Sequence, residues 1–195
     1  MVTVLQFLVL LIFVGCISDV RNKQGMLPLV NTWLIVGVKC CYPLPISLYG
    51  YVLLTLKQPR LSDILALVLT ACGTFLAVKA KVDLGRHHTW AGYYLENGAL
   101  CTTGVYAWLR HPLYTGIGLF VGGALLTIIL HASWVVTLIV LVTVLAIIPF
   151  LIVVARRETN WLAHQYPAPF AAYREHVPAV LPRRSNRRSP QPTDP

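Results

Sequence analysis

Five apolar runs, Val2–Ile17, Leu29–Leu56, Leu61–Val78, Leu113–Leu130 and Trp134–Ala155, leave this chain few ways to fold. The longest exceed, and the others approach, the roughly 20 apolar residues that carry a helix across a bilayer core. In lipid a backbone must satisfy its own polar groups, so runs of this kind become helices. Charged residues make up 12% of the 195, against about 25% in an average soluble protein. The reading is an all-α integral membrane protein with about five transmembrane helices, built as one domain over residues 1–182. Pro43 and Pro45 should break the second run and Pro149 should kink the fifth. His131-Ala132-Ser133 joins the last two runs into a helical hairpin. Residues 183–195, rich in Pro, Ser and Arg, have little to bury and read as a disordered basic tail.

The net charge of +9 would suit nucleic acid in a soluble protein. Here it sorts by membrane side instead, and nucleic acid is not an expected partner. With five alternating spans, Arg21, Lys23, Lys79, Lys81, Arg86, Arg110, Arg156, Arg157, Arg174 and the four tail arginines share one side, and only Lys57 and Arg60 take the other. Positive residues stay inside, so the first side is cytoplasmic, with the N-terminus outside and the C-terminus cytoplasmic. Val2–Ile17 has its basic residues after it rather than before, so it reads as a span and not a secretory signal. Lys39, inside the second run, reads as a snorkelling side chain or one facing a polar interior. The five cysteines lie in or beside apolar segments with no CxxC pair, which points to small buried hydrophobes rather than disulfides or zinc.

Chemistry has few places to sit in such a chain. Arg110-His111-Pro112-x-Tyr114-x-Gly116 stands at the cytoplasmic start of the fourth span. Pro112 suits the first helical turn, which aims unpaired N–H groups and a positive dipole end at a carboxylate or phosphate. Arg110 adds donors, His111 can donate or accept near neutral pH, and Gly116 permits a close approach to the backbone. The same residues would also serve as an interfacial belt that only positions a helix. Glu158 opens an amphipathic helix just past the fifth span, where it could hold an ammonium group or pair with neighbouring arginines. His87 and His88 suggest a metal, but adjacent side chains diverge and no third ligand has suitable spacing, so no metal site is expected. Tyr166, Phe170 and Tyr173, interleaved with charges over 162–182, read as a lid or as an interfacial helix.

Together these pieces resemble one family. Asp83-Leu84-Gly85 leads to Trp90, then Leu100-Cys101-Thr102-Thr103-Gly104-Val105-Tyr106, the Arg-His-Pro turn, a helical hairpin and Glu158. Tyr166-Pro167, Phe170-x-x-Tyr173, Val177-Pro178 and Leu181-Pro182 close the pattern. This order is similar to the isoprenylcysteine carboxyl methyltransferases, integral membrane enzymes that use S-adenosyl-L-methionine, and the match covers roughly residues 83–182. The resemblance implies a cytoplasmic cofactor region, with contacts from Gly98, Ala99, Leu100, Cys101, Tyr106, His111, Pro112, Leu113 and Tyr114, and with Glu158 holding the cofactor's amino group. It implies catalytic roles for Arg110, His111 and Tyr114. It also implies a lipophilic or lipidated acceptor entering from the bilayer, most directly the carboxylate of an isoprenylcysteine.

Three departures from the family's pattern stand out. Gly98 and Ala99 stand where a basic or histidine side chain is usual, Thr159 follows Glu158 in place of a second glutamate, and Val154 replaces an arginine assigned to the substrate carboxylate. Arg156 and Arg157 are the remaining candidates for that last role. Three other readings stay open: a phospholipid amine methyltransferase, an NADPH-dependent sterol-type reductase, and a non-catalytic membrane scaffold.

Overall fold

The computed structural model describes residues 1–18, 25–96 and 98–180. Arg21 and Lys23, which entered the sidedness argument, and the 183–195 tail lie outside the described residues. The chain forms helices α1 (Val2–Ile17), α2 (Thr32–Cys41), α3 (Pro43–Thr55), α4 (Ser62–Leu84), α5 (Pro112–His131), α6 (Trp134–Gln165) and α7 (Pro167–His176). Among the described residues, four helical stretches are long and apolar enough to cross a membrane, α2 and α3 together counting as one; α1, at 16 residues, is shorter. The all-α membrane architecture follows from length and apolarity, as expected.

The boundaries differ in instructive places. The second run breaks at Tyr42, immediately before Pro43, which opens α3 with its missing N–H at a position that needs none. Helix α4 continues past Val78 to Leu84, so Asp83 sits on a helix and not in a loop. No break separates the fifth span from Glu158. Nothing between Pro149 and Pro167 interrupts helical backbone, and α6 runs 32 residues. At about 1.5 Å per residue it is longer than a bilayer core requires, so its last turns carry Glu158 and Trp161 clear of the hydrocarbon. One feature is absent from an all-α expectation. Met26–Pro28 (β1) and Tyr93–Leu95 (β2) pair antiparallel, Leu27 opposite Tyr94, and tie the start of α2 to the loop after α4.

The bundle packs tightest between α4 and α5. A Cβ on Gly73 would lie 2.4 Å from the Phe120 backbone nitrogen, one on Gly116 would lie 2.7 Å from the Ala77 nitrogen, and one on Gly123 would lie 2.7 Å from the Ala66 carbonyl. Small residues let the two backbones approach, the usual way helices associate in lipid where the hydrophobic effect offers little. Gly116 thus admits a helix, not a ligand. Around this seam Leu10, Phe13, Tyr49, Val52, Phe120, Ile128 and Val140 form the main core, with the Phe13 and Phe120 rings stacked at 3.6 Å. At the end of α4 remote from β1 and β2, buried Asp63 accepts from His131 Nε2 at 2.9 Å. That bond joins the start of α4 to the end of α5 and fixes them as antiparallel neighbours.

Candidate functional site

At the opposite end of the bundle, three elements converge on the Arg-His-Pro turn. Asp83 anchors the first. Its carboxylate pairs with Lys79 and accepts the Val105 backbone N–H at 2.8 Å, and it sits where a Cβ on Gly104 would have to be. Gly104 has φ +61°, a conformation glycine adopts without strain. The 3-10 turn Gly104–Ala107 is therefore held against α4, and it carries Tyr106. The Tyr173 hydroxyl donates to the Tyr106 carbonyl at 2.6 Å, which docks α7 on the same turn.

The segment after α7 straps the turn from its other side. Arg110 N donates to the Pro178 carbonyl and His111 N to the Ala179 carbonyl, both at 2.9 Å, while Arg110 Nε donates to the Val177 carbonyl at 3.0 Å. Arg110 is thus a clamp on the C-terminal segment as well as a wall residue.

His111 caps α5 and is nearly buried, 6% exposed. Its Nε2 lies 3.0 Å from the Thr159 hydroxyl, and that hydroxyl gives its own proton to the Ala155 carbonyl at 2.8 Å. Thr159 can then only accept, so His111 carries its proton on Nε2 and leaves Nδ1 as a bare lone pair. Nδ1 faces Glu158 Oε2 at 3.7 Å, too far for a direct hydrogen bond. Two acceptors confront each other across that gap, on the wall of a cleft they both line. The arrangement suits a donor with several protons, such as an ammonium group. Tyr114 stands beside Glu158, and its ring is 5.6 Å from that of His111.

Burial, reinforced by Arg110, lowers His111 from 6.5 to about 4, so the ring is neutral at physiological pH. Between those values the unfolded chain binds a proton that the folded chain does not. Stability present above pH 6.5 should therefore be lost as pH falls towards 4, by up to about 3 kcal/mol. Thermal unfolding in detergent across that window should fall less steeply for His111→Gln than for the natural protein; equal slopes would contradict it. Burial also pushes the Tyr106 and Tyr173 hydroxyls well above their ordinary range, so both remain protonated.

The cleft is walled by Gly98, Ala99, Leu100, Cys101, Tyr106, Arg110, His111 and Glu158, together with His87, Tyr93, Tyr94, Trp161, Phe170 and Tyr173. The Tyr166 hydroxyl donates to the Gly98 carbonyl, and Ala99 N donates to His87 Nδ1 at 3.3 Å. The 98–101 segment is thereby fixed through its backbone, with no side chain needed at Gly98 or Ala99. Pro112 is buried behind the wall and Leu113 lines a different cavity. Tyr114 packs with Ile35, Phe150 and the fully buried Val154. Arg156 and Arg157 are exposed and line neither cavity. His87 borders the cleft whereas His88 borders the other cavity, and among the described residues no cluster of three metal-ligating side chains occurs.

Thr159, Trp161 and His87 were not singled out by sequence as parts of such a site. The Trp161 and Tyr94 rings pack in a tilted arrangement with centres 4.6 Å apart, joining α6 to the β-pair. The only signal of Trp161 in the sequence is helical spacing, three residues after Glu158 on one face.

The second cavity, of about 210 Å³, is almost wholly apolar and lies inside the bundle among α1, α2, α3, α5 and α6. Thr89 borders both cavities, and Trp90 lines this one where Tyr93 lines the cleft. An almost wholly apolar chamber therefore abuts a cleft of mixed polarity across a single short segment.

A family model described as phospholipid methyltransferase matches residues 61–168, a span that takes in α4, the cleft loop, the Arg-His-Pro turn and Glu158. No curated protein matches the chain.

Proposed function

Since the chain belongs to the phospholipid methyltransferase family and is an integral membrane methyltransferase, we propose that it methylates the amine of a phospholipid headgroup with S-adenosyl-L-methionine as donor. The observation that carries the donor is the pair of facing acceptors, His111 Nδ1 and Glu158 Oε2. Among the cleft's side chains, these two acceptors suit the cofactor's ammonium group, with Tyr106 and the 98–101 backbone beside them. Bound there, the cofactor supplies an already activated methyl group on a sulfonium. The protein's remaining work is to align the acceptor and exclude water.

Val154 bears on the acceptor. It is fully buried in an apolar cluster, and Arg156 and Arg157 point away from both cavities. Helix α6 thus offers no cation to a terminal carboxylate, and the family's description as phospholipid methyltransferase favours an amine. An amine must shed a proton before its lone pair can attack. The largely apolar lining of the cleft disfavours the charged form, so the proton goes to water as the headgroup leaves the aqueous interface. His111, already poor at holding a proton, acts as a fixed acceptor and not as a general base. A second reading, methylation of an isoprenylcysteine carboxylate, rests on the sequence resemblance across residues 83–182. The cleft end carries Lys79, Lys81, Arg86, Arg110 and Arg174, and the other end Lys57 and Arg60, which supports a cytoplasmic cleft.

Transfer of labelled methyl from S-adenosylmethionine into lipid tests the proposal. Phosphatidylethanolamine should take up label at a rate at least about tenfold above N-acetyl-S-farnesylcysteine. The reverse order would select the second reading, and label in neither would overturn both.

A further inference from the structure

We propose that Lys39 is the site that receives the acceptor's phosphodiester. This rests on the methyl-transfer reading above and adds the group that positions the lipid. Lys39 is the only charged residue in α2 and α3, in a span where a charge is costly and needs a reason. It is not on the lipid-facing side. Ile35, one helical turn earlier on the same face, is fully buried beneath Gly92 and Phe150, and Val38 of the same helix and Tyr42 at its end line the apolar chamber. The ammonium stands 4.8 Å from the Trp90 ring centre and 5.2 Å from that of Tyr93. Among the described residues no carboxylate pairs with it.

Those two rings locate the charge. Trp90 lines the apolar chamber and Tyr93 lines the cleft; Lys39 lines neither, but its ammonium stands over both rings, beside the segment that separates the two. An aminophospholipid presents tails, then phosphate, then amine. The molecule offers an apolar chamber, then a cation, then a cleft in the same order. A snorkelling lysine would instead extend along the outer surface to reach water, whereas this one is half-buried with its ammonium turned to two aromatic rings.

The test titrates full-length protein in detergent with dihexanoylphosphatidylethanolamine, N-acetyl-S-farnesylcysteine or dodecylamine, and separately with S-adenosylhomocysteine. Lys39→Met should weaken phosphatidylethanolamine binding by about tenfold or more, Lys39→Arg should restore it to within about threefold, and dodecylamine should bind all three proteins alike. Unchanged phospholipid binding in Lys39→Met, equal loss for every probe, loss confined to the farnesylcysteine, or no phospholipid binding by the natural protein would each overturn the assignment. Failure of the donor site itself would show in the S-adenosylhomocysteine titration, independently of these outcomes.

Discussion

Replacing Glu158 by Gln is expected to weaken S-adenosylhomocysteine binding by about a hundredfold, with the protein still folded. A hydrogen bond to a charged partner is worth about 1.5–3 kcal/mol, and about 2.7 kcal/mol is a hundredfold at room temperature. The substitution keeps size and shape but removes the charge, and it turns an NH2 donor towards an ammonium that only donates. Stability should not suffer, because Glu158 is 35% exposed and its described protein contacts are Tyr114 and the longer approach to His111. A calorimetric titration beside a thermal melt separates the two quantities. Undiminished affinity in a folded Glu158→Gln protein would remove Glu158 from the donor site.

Gly116→Val should be still more damaging, and through folding. Its Cβ would meet the Ala77 nitrogen and the Gly73 carbonyl, both at 2.7 Å. Neither is the movable end of a side chain, so α5 would have to withdraw from α4 along the seam that holds the bundle. Overpacking of this kind costs about 1–3 kcal/mol in forgiving cores; here backbone meets backbone, and the loss should reach the top of that range. The Arg-His-Pro turn sits one helical turn away, so ligand binding should fall with the melting temperature. Gly122→Ala is the control. Nothing lies within 4 Å of its Cβ position, and alanine is the better helix former by about 1 kcal/mol. Melting curves of both variants in one detergent settle the matter; a Gly116→Val protein as stable as Gly122→Ala would contradict the close packing.

These cases show which parts of the molecule can be read from its sequence. Helix α1, the break before Pro43 and the 131–133 hairpin follow from local causes: apolar length, a missing N–H and a short polar link. The β-pair does not, because three-residue strands become visible only when a partner far along the chain is known. Helix α6 was expected to pause at Arg156, where polarity changes. Polarity sets the environment, however, and backbone breakers set the end, so α6 runs on to Gln165, two residues before Pro167. Within the site, the pairing of Arg-His-Pro with Glu158 was legible through resemblance. The role of Thr159 was not. Counted in sequence as a missing carboxylate, it holds the His111 ring from 48 residues away, a relation no local pattern encodes. Gly116 was legible as a close approach, but α4 is what approaches.

If the cleft between His111 and Glu158 holds the methyl donor, the natural protein must also bind the demethylated product. Calorimetric titration in detergent with S-adenosylhomocysteine, and in parallel with NADPH, measures this. Saturable binding of S-adenosylhomocysteine at one site per chain is expected, with none of NADPH. Binding of NADPH with no response to S-adenosylhomocysteine would contradict it.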